Sequence, residues 1–68
     1  MIDKKMHLSE ALRMAMEKEQ AAYDFYQEAL KVVEGPDVLA LFRYLAGEEA
    51  KHRRLIEDEY DKIVQPDN

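Results

Sequence analysis

The chain has 68 residues, of which 47% are hydrophobic and 37% charged, with no cysteine and a formal net charge of −5. This length allows one domain with a small core, and the lack of cysteine excludes disulfides and thiolate metal sites. The acidic balance argues against a nucleic-acid binder. No apolar run is long enough to cross a membrane, and no signal-peptide pattern is present, so we expect a cytoplasmic protein.

Two helices and one turn are predicted. Strong helix formers fill the chain on both sides of a single Gly-Pro step. Gly35 suits the left-handed position after a helix, and Pro36 suits the first turn of the next one. We place helix 1 at about 7–34, the turn at 35–36 and helix 2 at about 37–64. Because the turn is short, we expect an antiparallel hairpin.

Each predicted helix carries a seam, a row of positions that recurs at alternating spacings of four and three residues. The seam of helix 1 comprises Leu8, Leu12, Ala15, Glu19, Ala22, Tyr26, Ala29 and Val33. The seam of helix 2 comprises Val38, Phe42, Leu45, Glu49, His52, Ile56, Glu59 and Ile63. Two helices form a groove without an enclosed core. We therefore expect the single domain, 1–68, to pair with a second copy as an all-α four-helix bundle.

A second apolar set lies off the seams. It comprises Met14, Phe25, Val32, Leu41, Tyr44 and Leu55. One interpretation is a further interface in a higher oligomer. The other, which we favour, is a broad dimer face together with ordinary exposed apolar residues.

Three polar residues interrupt the middle of the seams: Glu19 in helix 1, and Glu49 and His52 in helix 2. A carboxylate in an apolar core is unfavourable unless it is paired. Arg53 flanks the seam as one candidate partner of Glu49. The alternative partner is a metal ion, because Glu49-x-x-His52 projects both side chains from one helix face. Oxygen and nitrogen ligands together suit iron or manganese.

The register of the hairpin brings these residues to one level. Glu19 lies about 16 residues before the turn, and Glu49 and His52 lie about 13 and 16 residues after it, within one helical turn of each other. A homodimer would double the set, giving one Glu from each of two helices and a Glu-x-x-His from each of the other two. Its four carboxylates would balance two divalent ions.

These residues resemble a known family. The segment 19–26, from Glu19 to Tyr26, resembles the first metal-binding helix of rubrerythrin and ferritin-like proteins, and the segment 46–52 resembles the second. The resemblance covers about residues 10–63. Because the chain holds one helix pair where most members hold two, it resembles half-length members, including encapsulated ferritins, which build a di-iron site across a dimer interface.

The resemblance implies a ferritin-like fold and a role for each seam residue. Glu19 would be a terminal or chelating ligand, Glu49 a bridging carboxylate and His52 a terminal nitrogen ligand. These three residues would form both the metal site and the catalytic site of a ferroxidase that oxidises Fe(II) with O2 or peroxide. The site would hold two irons per dimer, although manganese accepts the same ligands. Tyr23, four residues after Glu19, could hydrogen-bond it. For both Tyr23 and the seam residue Tyr26, however, we favour core packing over a redox role.

Three features depart from the family pattern. The lack of cysteine removes the rubredoxin iron that rubrerythrins add. Ala22 stands where peroxide-active rubrerythrins carry an extra Glu, which weighs against a peroxidase. The C-terminal segment 63–68 is not the apolar targeting tail of encapsulated ferritins, so the sequence does not support delivery to a protein shell, which stays open as an alternative to a free cytoplasmic protein.

Two other interpretations remain open at the level of sequence. The chain could be a non-catalytic helical hairpin that dimerises as an interaction module, with its seam carboxylates paired to Arg53 or Arg54. It could also be a metal-binding domain of a longer protein.

Overall fold

The structure is a computed structural model that describes residues 7–64. That range contains two α-helices and no strand: α1 at Leu8–Leu30 and α2 at Pro36–Val64. The short connection returns α2 along α1, which confirms the all-helical prediction. The segments 1–6 and 65–68, and with them most of the C-terminal segment compared with a targeting tail, lie outside the described residues. Neither helix of the described range combines the length and apolarity that a membrane crossing requires.

The start of α1 is fixed by a local hydrogen bond. His7 has extended backbone, with φ −68° and ψ 148°, and occupies the position just before the helix. Its backbone N–H donates to the Glu10 side chain over 3.2 Å. This satisfies one donor at the helix start, and the Glu10 carboxylate also interacts favourably with the helix dipole.

The connection between the helices is longer than predicted. Helix α1 ends at Leu30 rather than near residue 34. The N–H of Lys31 donates to the carbonyl of Glu28 over 3.1 Å, and this tighter last turn begins the chain reversal. Gly35 has φ +98°, as its predicted left-handed role requires. Its carbonyl accepts from the N–H of Leu39 over 3.0 Å and so starts α2.

The predicted seam of α1 agrees with the observed burial, with one exception. From Leu12 to Val33 its positions are half-buried, whereas Leu8 at the open end is exposed. The aromatic ring of Tyr26 lies 5.8 Å from that of Phe42 on α2, measured between ring centroids. Tyr26 therefore packs between the helices, as the core-packing interpretation of its seam position predicts.

The predicted seam of α2 was partly wrong. Four of its members are exposed: Val38, His52, Glu59 and Ile63. The buried and half-buried positions of α2 include a second row, which differs from the predicted seam by one residue at every other position: Leu39, Phe42, Ala46, Glu49, Arg53, Ile56 and Tyr60. Leu45 of the predicted seam is half-buried as well. Both rows share Phe42, Glu49 and Ile56. The predicted seam combined two faces of α2: the face that contacts α1, and a neighbouring face that a single hairpin leaves uncovered. We call the second one, which carries His52, the open face of α2.

A single chain has almost no enclosed interior. Ala46, with 2% of its surface exposed, is the one fully buried hydrophobic residue of the described range. The hairpin is a flat layer that measures 50 × 28 × 13 Å. Five members of the second apolar set are exposed: Phe25, Val32, Leu41, Tyr44 and Leu55. Such a surface is typical of a chain that packs against another.

Candidate metal centre

The hairpin brings Glu19, Glu49 and His52 together at mid-length. Nδ1 of His52 lies 3.4 Å from Oε1 of Glu19 and 3.5 Å from Oε1 of Glu49. One ligand atom from each residue lies within 4.8 Å of the other two. Glu19 comes from α1 and the Glu-x-x-His pair from α2, so the predicted register is confirmed. The three residues can direct two oxygens and one nitrogen at a common point.

The three side chains differ in exposure. The side chains of Glu19 and Glu49 are 26% and 20% exposed, whereas that of His52 is 51% exposed. The carboxylates therefore lie in the groove between the helices. His52 stands at its edge, on the open face of α2, with one side toward the carboxylates and the other toward solvent.

The two carboxylates have no Lys or Arg partner among residues 7–64. Arg53 pairs with Glu57, with Nη2 and Oε2 3.2 Å apart, and Arg54 pairs with Asp58 over 3.7 Å. The pairing of Arg53 or Arg54 with a seam carboxylate, which the interaction-module interpretation requires, is not observed there. His52 is thus the one ionisable basic side chain of the described range that lies beside Glu19 and Glu49, and the pair can accept a further cation.

The donor set fits a metal ion of intermediate hardness. Oε1 of Glu19 is buried and has no hydrogen-bond partner, since its approach to His52 does not have hydrogen-bond geometry. A buried, unpartnered carboxylate oxygen is unfavourable in the chain alone. A cation held by this oxygen, by Glu49 and by His52 would satisfy it, and iron and manganese both accept mixed carboxylate and imidazole ligands.

The electrostatics of Glu49 follow from its neighbours. Its pKa is raised above the usual range of a glutamate, chiefly because a protonated Glu49 can donate a hydrogen bond to the neighbouring carboxylate of Glu19. Burial and the negative charge of Glu19 raise this pKa further, and His52 acts in the opposite direction. Two carboxylates that compete for a proton are a site that a cation can occupy instead.

The acidic residue beside the centre and the one farther along the predicted seam are engaged elsewhere. Glu48 pairs with Lys51, and Glu59 pairs with Lys62, each over 2.9 Å. Although Glu59 was placed on the seam, its side chain is solvated, and it does not join the cluster. Tyr23 makes no hydrogen bond to Glu19 within the part of the chain that the structure describes; it lines a cavity next to Glu49 instead.

Two cavities that sequence reasoning missed lie beside the centre. The larger, of about 360 Å³, is bounded by Gln20, Tyr23, Glu49, Ala50 and Arg53 together with Arg54 and Glu57. The smaller, of about 240 Å³, shares Gln20 and Arg53 with it. The signal in the sequence was the spacing of Arg53, four residues after Glu49, which puts Arg53 in the second row of α2. The predicted seam passed through His52 and therefore missed that row.

The chain matches the sequence model of the rubrerythrin family over residues 2–68. It therefore belongs to that family, a ferritin-like di-iron family, and its two helices fit a half-length member. The family typically binds iron. Comparisons with curated proteins and with solved structures give no significant match.

Proposed function

We propose that the chain is a homodimeric ferroxidase whose two protomers together hold a di-iron site. The observation that supports this proposal is the convergence of Glu19, Glu49 and His52 within 4.8 Å, from two helices, in a chain of the rubrerythrin family. The chain as a single half-domain, 1–68, supplies half of a four-helix bundle and half of the ligands.

Each residue has a distinct role in this proposal. Glu19 and Glu49 supply carboxylate oxygens, and the two copies of each give four negative charges that balance two divalent ions. By analogy with the family, Glu49 is the bridging carboxylate, and Glu19 is a terminal or chelating ligand. His52 supplies a neutral nitrogen. When bound, the two irons supply one electron each to O2 or peroxide.

The requirement for a dimer follows from ligand number and from exposed surface. Three ligands from one chain are too few for two iron ions. His52 lies on the open face of α2, where a second hairpin would add its own ligands. The same contact would cover apolar side chains that the single layer leaves in water, and this burial would favour association.

Iron titration tests the proposal directly. Anaerobic addition of Fe(II) to the metal-free protein should saturate at about one iron per chain, because two ions would be shared by two chains. Admission of air should then produce ferric absorbance. Glu49→Ala should lose both signals, whereas Glu48→Ala, one residue away and paired with Lys51, should keep them.

The interaction-module alternative predicts the opposite result. Under that alternative no metal would bind at micromolar Fe(II), and the dimer would be equally stable with and without chelator. Size-exclusion chromatography with light scattering, in the presence and absence of chelator, separates the two cases. Manganese in place of Fe(II) in the same titration would compare the two metals that the ligands accept.

A further inference from the structure

The two cavities share part of their lining, and together we call them the back groove. Gln20 and Arg53 line both cavities and therefore lie between them. The larger cavity is also lined by Tyr23, Ala50 and Glu49. Glu49 thus borders the back groove and is also a member of the candidate metal centre.

The back groove and His52 lie on opposite flanks of Glu49. Along a helix each residue turns by about 100°, so Ala50 and His52 point about 160° apart around α2. The open face that carries His52 also carries Leu41, eleven residues earlier in the same row. Ala50 and Arg53 stand instead on the groove side.

This arrangement has a consequence for access that rests on the proposed function. A second protomer that completes the metal site must cover the face of His52, which is half exposed in a single chain. Solvent would then lose that approach to the centre. The back groove lies on the other flank, within one chain, and would stay open to solvent beside Glu49.

The charges in the wall indicate what can pass. The arginines are each paired one turn along their own helix: Arg13 with Glu17, Arg53 with Glu57 and Arg54 with Asp58. These pairs leave a wall with little net charge. Such a wall neither attracts nor repels a small uncharged molecule, and it has no excess of negative charge to draw in a divalent cation.

We propose that the back groove is the route by which a small uncharged oxidant, dioxygen or hydrogen peroxide, reaches the metal centre. Gln20 and Arg53 lie between its two cavities. Glu49, which lines the larger cavity, is the first ligand that the molecule encounters. Iron would load by a different approach, before or during closure of the dimer.

Nitric oxide is a suitable probe because it is small and uncharged, and its binding to Fe(II) protein can be followed anaerobically by stopped-flow absorbance. Ala50→Phe places a ring in the back groove. It should leave the Fe(II) stoichiometry unchanged and slow nitric oxide association by about tenfold or more. Ala40→Phe is the matched control, an exposed alanine of α2 that lines neither cavity. Its association rate should equal that of the wild type.

A widening variant tests the same idea in the opposite direction. Gln20→Ala shortens the side chain between the two cavities and should speed nitric oxide association by about two- to threefold. An unchanged rate in an iron-loaded Ala50→Phe protein overturns the route. If Ala50→Phe does not fold, an unchanged rate in Gln20→Ala overturns it equally.

Failure of the proposed function gives a different result. If the wild type takes up no Fe(II), the metal centre itself is wrong and the route falls with it. If the wild type and Ala50→Phe both load iron and bind nitric oxide at the same rate, the metal centre stands and only the route is wrong.

Discussion

Nδ1 of His52 on α2 lies 3.4 Å from Oε1 of Glu19 on α1, and this contact joins two helices at the level where Glu49 also approaches. One imidazole nitrogen lies between carboxylates from different helices. The candidate metal centre is therefore also a tertiary contact of the hairpin. Changes to the centre should consequently alter the stability of the fold as well as its chemistry.

Removal of one carboxylate should stabilise the metal-free protein. Glu19→Leu deletes a buried oxygen without a hydrogen-bond partner and a negative charge beside Glu49. We expect a gain of about 1 kcal/mol, which raises the unfolding temperature by roughly 4–8 °C in a domain of this size. Thermal unfolding with chelator measures the gain. Fe(II) or Mn(II), which should raise the unfolding temperature of the wild type, should not stabilise this variant.

A substitution on the same helix provides the control. Glu17 is exposed and pairs with Arg13 over 3.5 Å. Glu17→Leu should change the unfolding temperature little and should keep metal-induced stabilisation. Equal stabilisation of both variants by Mn(II) would contradict the assignment of Glu19 as a ligand.

The stability of the metal-free protein should decrease as the pH rises through the raised pKa of Glu49. A folded-state pKa above the unfolded value means that the folded protein holds more protons in the interval between the two values. Stability is then greater on the acidic side of that interval and is lost above it. Urea unfolding midpoints in chelator, measured from neutral pH down to about pH 5, check this sign.

The same experiment with metal should show the reverse trend, because ligands must lose protons to bind a cation. Glu49→Gln removes the titrating group and should flatten the dependence in chelator. If Glu49→Gln retains the full slope, another group is responsible for it.

Dimerisation and metal binding should fail together when the open face of α2 is charged. Leu41 is exposed in the single chain and lies in the same helical row as His52. Leu41→Lys should raise the dimer dissociation constant by about tenfold or more, the equivalent of about 1.4 kcal/mol, and should lower iron uptake at the same chain concentration. Analytical ultracentrifugation with iron analysis measures both, and Ala40→Lys is the neighbouring control.

The two glycines should respond in opposite directions to alanine. Gly35 has φ +98° with open space around it, so Gly35→Ala should cost about 1–2 kcal/mol through backbone strain alone. Gly47 lies inside α2, also with open space, so Gly47→Ala should stabilise by about 0.5–1 kcal/mol. Chemical denaturation of the two variants tests the pair. A similar loss in both would show that Gly47 is needed for packing.

The sequence alone predicted the two helices, the Gly-Pro turn and the height along the hairpin at which the three residues of the candidate metal centre meet, because these features depend on local signals. The Gly35-Pro36 step marks the reversal, and counting residues from it aligns Glu19 with His52. The sequence did not predict which face of α2 is turned toward α1. Leu45 and Ala46 are both apolar, so the pattern there allowed either row to face α1, and the structure buries Ala46.

The end of α1 and the pairing of Arg53 depended on context as well. Four helix-compatible residues follow Leu30, yet the chain must begin to turn before Gly35. Arg53 has carboxylates one turn away on both sides, at Glu49 and Glu57, and spacing alone does not choose between them. The structure places its guanidinium on Glu57.

The flatness of the hairpin has a consequence for regulation by concentration. Since one layer of two helices carries three ligands, the proposed site is complete only after two chains meet. At concentrations below the dimer dissociation constant, the number of complete sites would rise with the square of the chain concentration. The apparent affinity for iron would then report how much of this chain is present, and a modest change in its amount would produce a steeper change in iron captured.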